Sequence, residues 1–137
     1  MRISRRQGMS ELVCYKDSQI PLVWDEVCPL IQKALDRGSR YTLKDIYEGL
    51  CSRKMQLWCW RDEKIHAALV TTLQEDEVKF CLYLALGGSK MAEWAKYQPV
   101  VEDWARSKGC TEVRVYGRYG WKKLGFTPIY TKLVRKL

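Results

Sequence analysis

Four residues stand between an apolar run ending at Leu86 and a predicted helix: Gly87-Gly88-Ser89-Lys90. Two of them let the backbone come close to a ligand, one brings a hydroxyl and one a cation. At a helix N-terminus, orphan amides and the macrodipole attract anions, so this run has the composition of an anion nest. The competing reading is a strand-ending turn whose Ser89 caps the helix. Charge is one-sided further along. After Glu112 no acid follows, whereas Arg114, Arg118, Lys122, Lys123, Lys132, Arg135 and Lys136 do. In a chain of net charge +8 this asymmetry points to an anionic partner, a phosphate-bearing cofactor or a nucleic acid, or else to a solvated basic face.

Acid–base and metal chemistry have fewer candidates. His66 is the single histidine, and its place among apolar residues reads as structural. Glu75-Asp76-Glu77 supply carboxylates at what reads as a solvated hairpin tip. The six cysteines, Cys14, Cys28, Cys51, Cys59, Cys81 and Cys110, form no C-x-x-C pair and lie mostly in apolar segments. They are expected to be buried, reduced thiols in a cytosol-like compartment, and no metal is expected. Trp58, Trp60 and Tyr83 beside the basic C-terminal region offer a stacking surface for nucleic acid. Against that, alternating tryptophans usually split between core and surface, and no RNA-binding signature is present.

The elements that must position these residues follow from periodicity. SELVCYK (10–16) reads as a first strand. From Pro21 to about Arg37, Val23, Val27, Leu30, Ile31, Ala34 and Leu35 recur at helical spacing, with a kink or restart expected at Pro29. Thr42 and Asp45 form a capping box ahead of a second helix that reaches about Arg53. MQLWCW (55–60), IHAALVTTL (65–73) and VKFCLYLAL (78–86) predict an antiparallel meander whose third member is the central strand. A helix opened by Ser89 runs to Lys108-Gly109, with a kink or late start at Pro99. TEVRVYG is then a strand, WKKLG one helical turn and TPIYTKLVRKL a last strand. This order predicts a mixed α/β sheet with helices on both faces. At 137 residues, 47% of them hydrophobic, the chain fits one domain over 10–137 behind a flexible basic leader, 1–9, that can precede a true start at Met9. No apolar run approaches the ~18 residues of a membrane span, and no secretion signal is visible, so a soluble, cytoplasmic protein is expected.

With EDWARSKGCTEV and then GWKKLGF, the element order resembles the GNAT superfamily of acyl-CoA-dependent N-acyltransferases from about residue 10 to 137. With GRYGW after the fifth strand, it is also similar to small GNAT-like proteins of tailed phages and prophages. The resemblance implies a mainly antiparallel sheet in which the fourth and fifth strands splay and acyl-CoA lies in the cleft. It implies that the backbone of Leu84, Ala85 and Leu86 holds the thioester and that Gly87, Gly88, Ser89 and Lys90, with Arg118 and Trp121, lie at the acetyl-CoA or CoA site. The family's pyrophosphate loop, Q/R-x-x-G-x-G/A, falls on SKMAEW, where Ala92 and Trp94 replace glycines and the indole can block the pyrophosphate. Where the family places a tyrosine as general acid stands Trp121, whose N–H has no useful acidity. Trp121 then reads as a core anchor, and Tyr119 or Tyr116 as the substitute phenol. Glu48 occupies a family-like position for contact with the amine substrate. The resemblance thus implies an N-acetyltransferase, with a non-catalytic phage or prophage scaffold as the alternative. A homodimer, a phage or host protein partner and a location in the host cytoplasm or the virion are compatible with it.

Overall fold

The computed structural model describes residues 10–36, 39–89, 91–115, 125, 127, 135 and 136. β1 (Glu11–Tyr15) leads through a 3-10 turn, Asp17–Gln19, into α1 (Ile20–Leu35) and α2 (Leu43–Cys51). β2 (Gln56–Arg61), β3 (Ile65–Glu75) and β4 (Lys79–Gly88) follow, then α3 (Met91–Trp94), α4 (Gln98–Ser107) and β5 (Glu112–Val115). The five strands lie in sequence order, antiparallel except that β4 and β5 run parallel. This is the mixed, mainly antiparallel sheet with helices on both faces that the sequence predicts.

Side-chain alternation puts a core on each face. Leu57 and Cys59 of β2, with Ala68, Val70 and Ala85, pack under α1 and α2 against Val27, Ile31, Ile46 and Leu50. Trp58 and Trp60 point the other way and join Leu69, Cys81 and Tyr83 under α4, where Trp94, Val101 and Ala105 cover them. Trp58 meets Trp104 edge to face at 5.2 Å, and its Nε1 donates to Thr71 Oγ1 at 3.1 Å, so its polar tip is satisfied inside the core. The stacking surface for nucleic acid is therefore absent: Trp58, Trp60 and Tyr83 all share one buried face. Their two-residue spacing kept the tryptophans together instead of dividing them between core and surface.

Two proline effects differ from one another. α1 runs unbroken through Pro29, without the expected restart. The Pro29 ring removes the N–H that would bond the carbonyl of Asp25, and Cys28 Sγ sits 3.9 Å from that oxygen. By contrast, the single helix expected from Ser89 is divided. α3 ends at Trp94, and α4 starts late so that Pro99 falls in its first turn, where no N–H is required. The Thr42–Asp45 capping box forms in both directions, with Asp45 N donating to Thr42 Oγ1 at 3.1 Å and Thr42 N to Asp45 Oδ2 at 2.9 Å. Apart from Gly125, Thr127, Arg135 and Lys136, the predicted WKKLG turn and last strand fall outside the described residues.

α1 approaches β4 most closely at Gly87. A Cβ on this buried residue would run into the Leu30 carbonyl of α1 and lie 3.5 Å from Ala34 Cβ. Glycine here serves helix–sheet packing. Gly87→Ala should push α1 off the sheet and cost about 1–3 kcal/mol in urea unfolding. An unchanged midpoint would mean that α1 is not seated as described.

Candidate functional site

The parallel pair of β4 and β5 is closed where it begins. Phe80, Cys81, Leu82 and Tyr83 lie opposite Glu112, Val113, Arg114 and Val115. Arg114 fastens the closed end: its guanidinium donates to Asp76 Oδ2 at 2.6 Å and Oδ1 at 3.3 Å, donates to Glu112 at 2.8 Å, and lies 3.9 Å over the Phe80 ring. Hydrogen bonds from Arg114 hold the Asp76 carboxyl down at about 2. Of the three hairpin-tip carboxylates, Asp76 thus serves as an anchor between the β3–β4 turn and β5.

The ladder changes immediately past Tyr83. On the β3 side Thr71 is opposite Tyr83 while Val70 is opposite Ala85, so Leu84 is an inserted residue and the strand bulges there. The bulge resets the alternation. Cys81 and Tyr83 face α4, Leu84 and Ala85 face α1, and Leu86 returns to the α4 side. β3 continues to pair β4 as far as Gly88, opposite Ala67. On the other edge, among the described residues, β5 pairs β4 only to Tyr83. Leu84, Ala85 and Leu86 therefore stand together just past the last described pair of β4 and β5.

The Gly87-Gly88-Ser89 run is more committed to the fold than its composition suggests. Gly87 packs on α1. Gly88 has φ +141°, and a Cβ there would meet the His66 carbonyl and lie 2.6 Å from Ala67 Cα, so both conformation and space require glycine. Ser89 is exposed, and its N–H donates to His66 O at 3.0 Å, extending the ladder by one bond. The side chain of Trp94, expected at the pyrophosphate loop, is fully buried in the α4-side core. Lys90, Arg118, Tyr119 and Trp121 lie outside the described residues, as does Tyr116.

The remaining acid–base candidates are dispersed. Glu48 is exposed on α2 and faces Lys44 at 3.8 Å. His66 sits in the bulge that separates Trp60 opposite Ala67 from Arg61 opposite Ile65. Its Nε2 lies 2.8 Å from Asp62 Oδ2 and its ring stacks 4.9 Å from Trp60. The hydrogen bond from His66 holds the Asp62 carboxyl down at about 2. This pair locks the β2–β3 hairpin, as the structural reading of His66 expects. Burial pushes the Cys81 thiol up to about 12 and raises Cys59 further, which leaves both in the protonated, unreactive form. All six cysteines are free.

Sequence reasoning missed two features of this site. The Leu84 bulge hides inside a continuous apolar run, and only a shift in burial parity betrays it. Arg114 was counted with the basic tail; its signal was Glu112 two residues away on the same strand face.

No protein-family profile matches the chain, and no curated protein does. Solved structures do. The fold superposes on an aminoglycoside 6'-N-acetyltransferase of Acinetobacter baumannii with a TM-score of 0.67 at 12% identity over 94% of this chain and 98% of that one. A predicted acetyltransferase of Clostridium acetobutylicum, crystallised with acetyl-CoA, gives 0.66 at 12% identity over 93% and 96%. Glucosamine-6-phosphate N-acetyltransferase of Arabidopsis thaliana gives 0.65 at 13% identity over 94% and 99%. At these identities the likeness establishes a shared fold over nearly the whole of each chain.

The two lowered carboxyls give a pH signature. Both titrate below the unfolded value near 4, so their contribution to stability is complete above about pH 4 and is lost as pH falls through about 2. The melting temperatures of the wild type and Asp76→Asn should differ above about pH 4 and converge towards about pH 2. A gap independent of pH would contradict the Arg114 anchor.

Proposed function

We propose that the chain binds acyl-CoA along the open edge of β4 and transfers its acetyl group to an amine. The observation that carries this reading is the segment Leu84–Gly88, paired by β3 on one edge and, among the described residues, by no strand on the other. In an antiparallel ladder, alternate residues turn both N–H and C=O away from the partner, so this edge offers donors and acceptors that need a match. The amide-bearing pantetheine arm of CoA fits it as an added strand would. The shared fold with proteins named as acetyltransferases, one of them holding acetyl-CoA, supports the same reading.

Bound acetyl-CoA supplies an acyl group activated as a thioester. The chain's own contribution is first positional: backbone groups at Leu84, Ala85 and Leu86 sit at the bulge, where a carbonyl oxygen can be held on a fixed N–H. Ser89 has already given its amide to His66, so the donors for a pyrophosphate must come from residue 90 onward, with Lys90 and Arg118 adding charge. The buried Trp94 leaves that approach clear of its indole. Tyr119 is assigned as the proton donor to the leaving thiolate, since Trp121 has no acidity to offer. Glu48, exposed on α2, suits electrostatic contact with a cationic amine better than proton abstraction in a dry site.

The committed amide of Ser89 and the loss of the family's loop glycines favour one second reading, a GNAT-like scaffold, of phage or other origin, that binds a partner without catalysis. Calorimetry with acetyl-CoA separates the two: saturable heat supports the enzyme, and none from the folded protein supports the scaffold. If transfer to an amine panel is observed, Tyr119→Phe should lower kcat about 100-fold with KM nearly unchanged. An unaltered kcat would remove Tyr119 from the proton path.

A further inference from the structure

A groove of about 320 Å³ opens where α1 meets α2, lined by Pro21, Trp24, Asp25, Leu43, Lys44 and Tyr47. No strand residue lines it. The stripe of α1 buried on the sheet is Ile20, Val27, Ile31 and Leu35, whereas Pro21, Trp24 and Asp25 recur at i, i+3, i+4 spacing along the neighbouring flank. Trp24 and Tyr47 form an aromatic corner, with ring centroids 5.0 Å apart and planes at 70°. Both rings are half-buried and present apolar, electron-rich surface to the groove.

The polar side of the groove is rich in acceptors. The Asp25 carboxylate is exposed and, among the described residues, has no ion-pair partner. The carbonyl of the same residue has lost its helical donor to Pro29 and keeps only the weakly donating Cys28 thiol, 3.9 Å away. The cation in the lining, Lys44, has its Nζ 3.8 Å from Glu48 Oε1 one turn further along α2. Aromatic faces beside an unpaired carboxylate call for a ligand that donates hydrogen bonds, carries positive charge and has an apolar stem. An anion would face the carboxylate, and a neutral apolar group would leave it unmatched. The volume suits a side-chain-sized group, at the small end of the ~300–1,000 Å³ range of ligand pockets.

We propose that this groove binds an aliphatic ammonium group, its methylene stem against Trp24 and Tyr47 and its N–H donors on Asp25. The site is separate from the open edge of β4 and does not depend on acyl-CoA binding. The test is an NMR titration of the full chain, without acetyl-CoA, using n-butylammonium, the neutral n-butanol and the anion butyrate. Butylammonium should shift the Trp24 indole signal and the amides of residues 22–25 and 43–47 in a saturable way, and the other two should not. Asp25→Asn, a change at an exposed residue with an unchanged melting temperature as its control, should weaken binding about tenfold, or ~1.4 kcal/mol. A lysine blocked at both ends is the comparison ligand. Tighter binding than butylammonium assigns the ammonium to a protein side chain and weaker binding to a free amine, and either supports the chemistry. Equal response to butanol, undiminished binding by Asp25→Asn, or shifts confined to residues outside the groove would overturn the proposal.

Discussion

The parallel pairing of β4 with β5 starts at Phe80, where Arg114 pins it, and extends to Tyr83 among the described residues; the bulge at Leu84 follows at once. Most of what the site can do depends on that arrangement. Arg114 ties a β5 residue to the β3–β4 turn through charge-assisted bonds and a ring contact, so the two strands are fixed where they begin. The inserted Leu84 then bends β4 and increases its local twist. Because β3 follows β4 to its end, bending β4 does not expose both edges. Among the described residues, the β5-side edge of β4 past Tyr83 has no strand beside it.

The other half of the design holds the far end of β4 in place. Gly87 admits α1 to near contact through the Leu30 carbonyl, and Gly88 turns the chain in a left-handed conformation against β3. Ser89 closes the ladder on His66, whose ring is held by Asp62 and Trp60. A run that looks like a phosphate-binding loop therefore acts first as a joint between sheet and helix. Such a joint fixes the end of β4 in one geometry, which is what holding a ligand in alignment requires.

Much of the fold was legible because period and capping agree with it. The meander, the Thr42–Asp45 box and the amphipathic α1 each carry a local signal that tertiary packing reinforces. Where local signals were silent or ambiguous, the reading diverged. Pro29 stays inside α1 because that helix gains more from burying Val27 and Ile31 than it loses in one hydrogen bond. The burial of Trp94 was not legible because a one-dimensional alignment has no inside; in three dimensions its indole belongs to the core. That β4 and β5 part beyond Tyr83 is an expectation of the family resemblance alone, since backbone pairing leaves no mark in side-chain composition. The candidate acid, Tyr119, rests on sequence alone.

Amide hydrogen exchange with and without acetyl-CoA tests the central claim directly, because it reads the backbone of β4 residue by residue. The account predicts slowed exchange at residues 84–90, at the adjoining start of α3 and about Arg118 and Tyr119, with β1 and the outer flank of α2 unaffected. Protection elsewhere on the sheet, or none at saturating ligand, would contradict it.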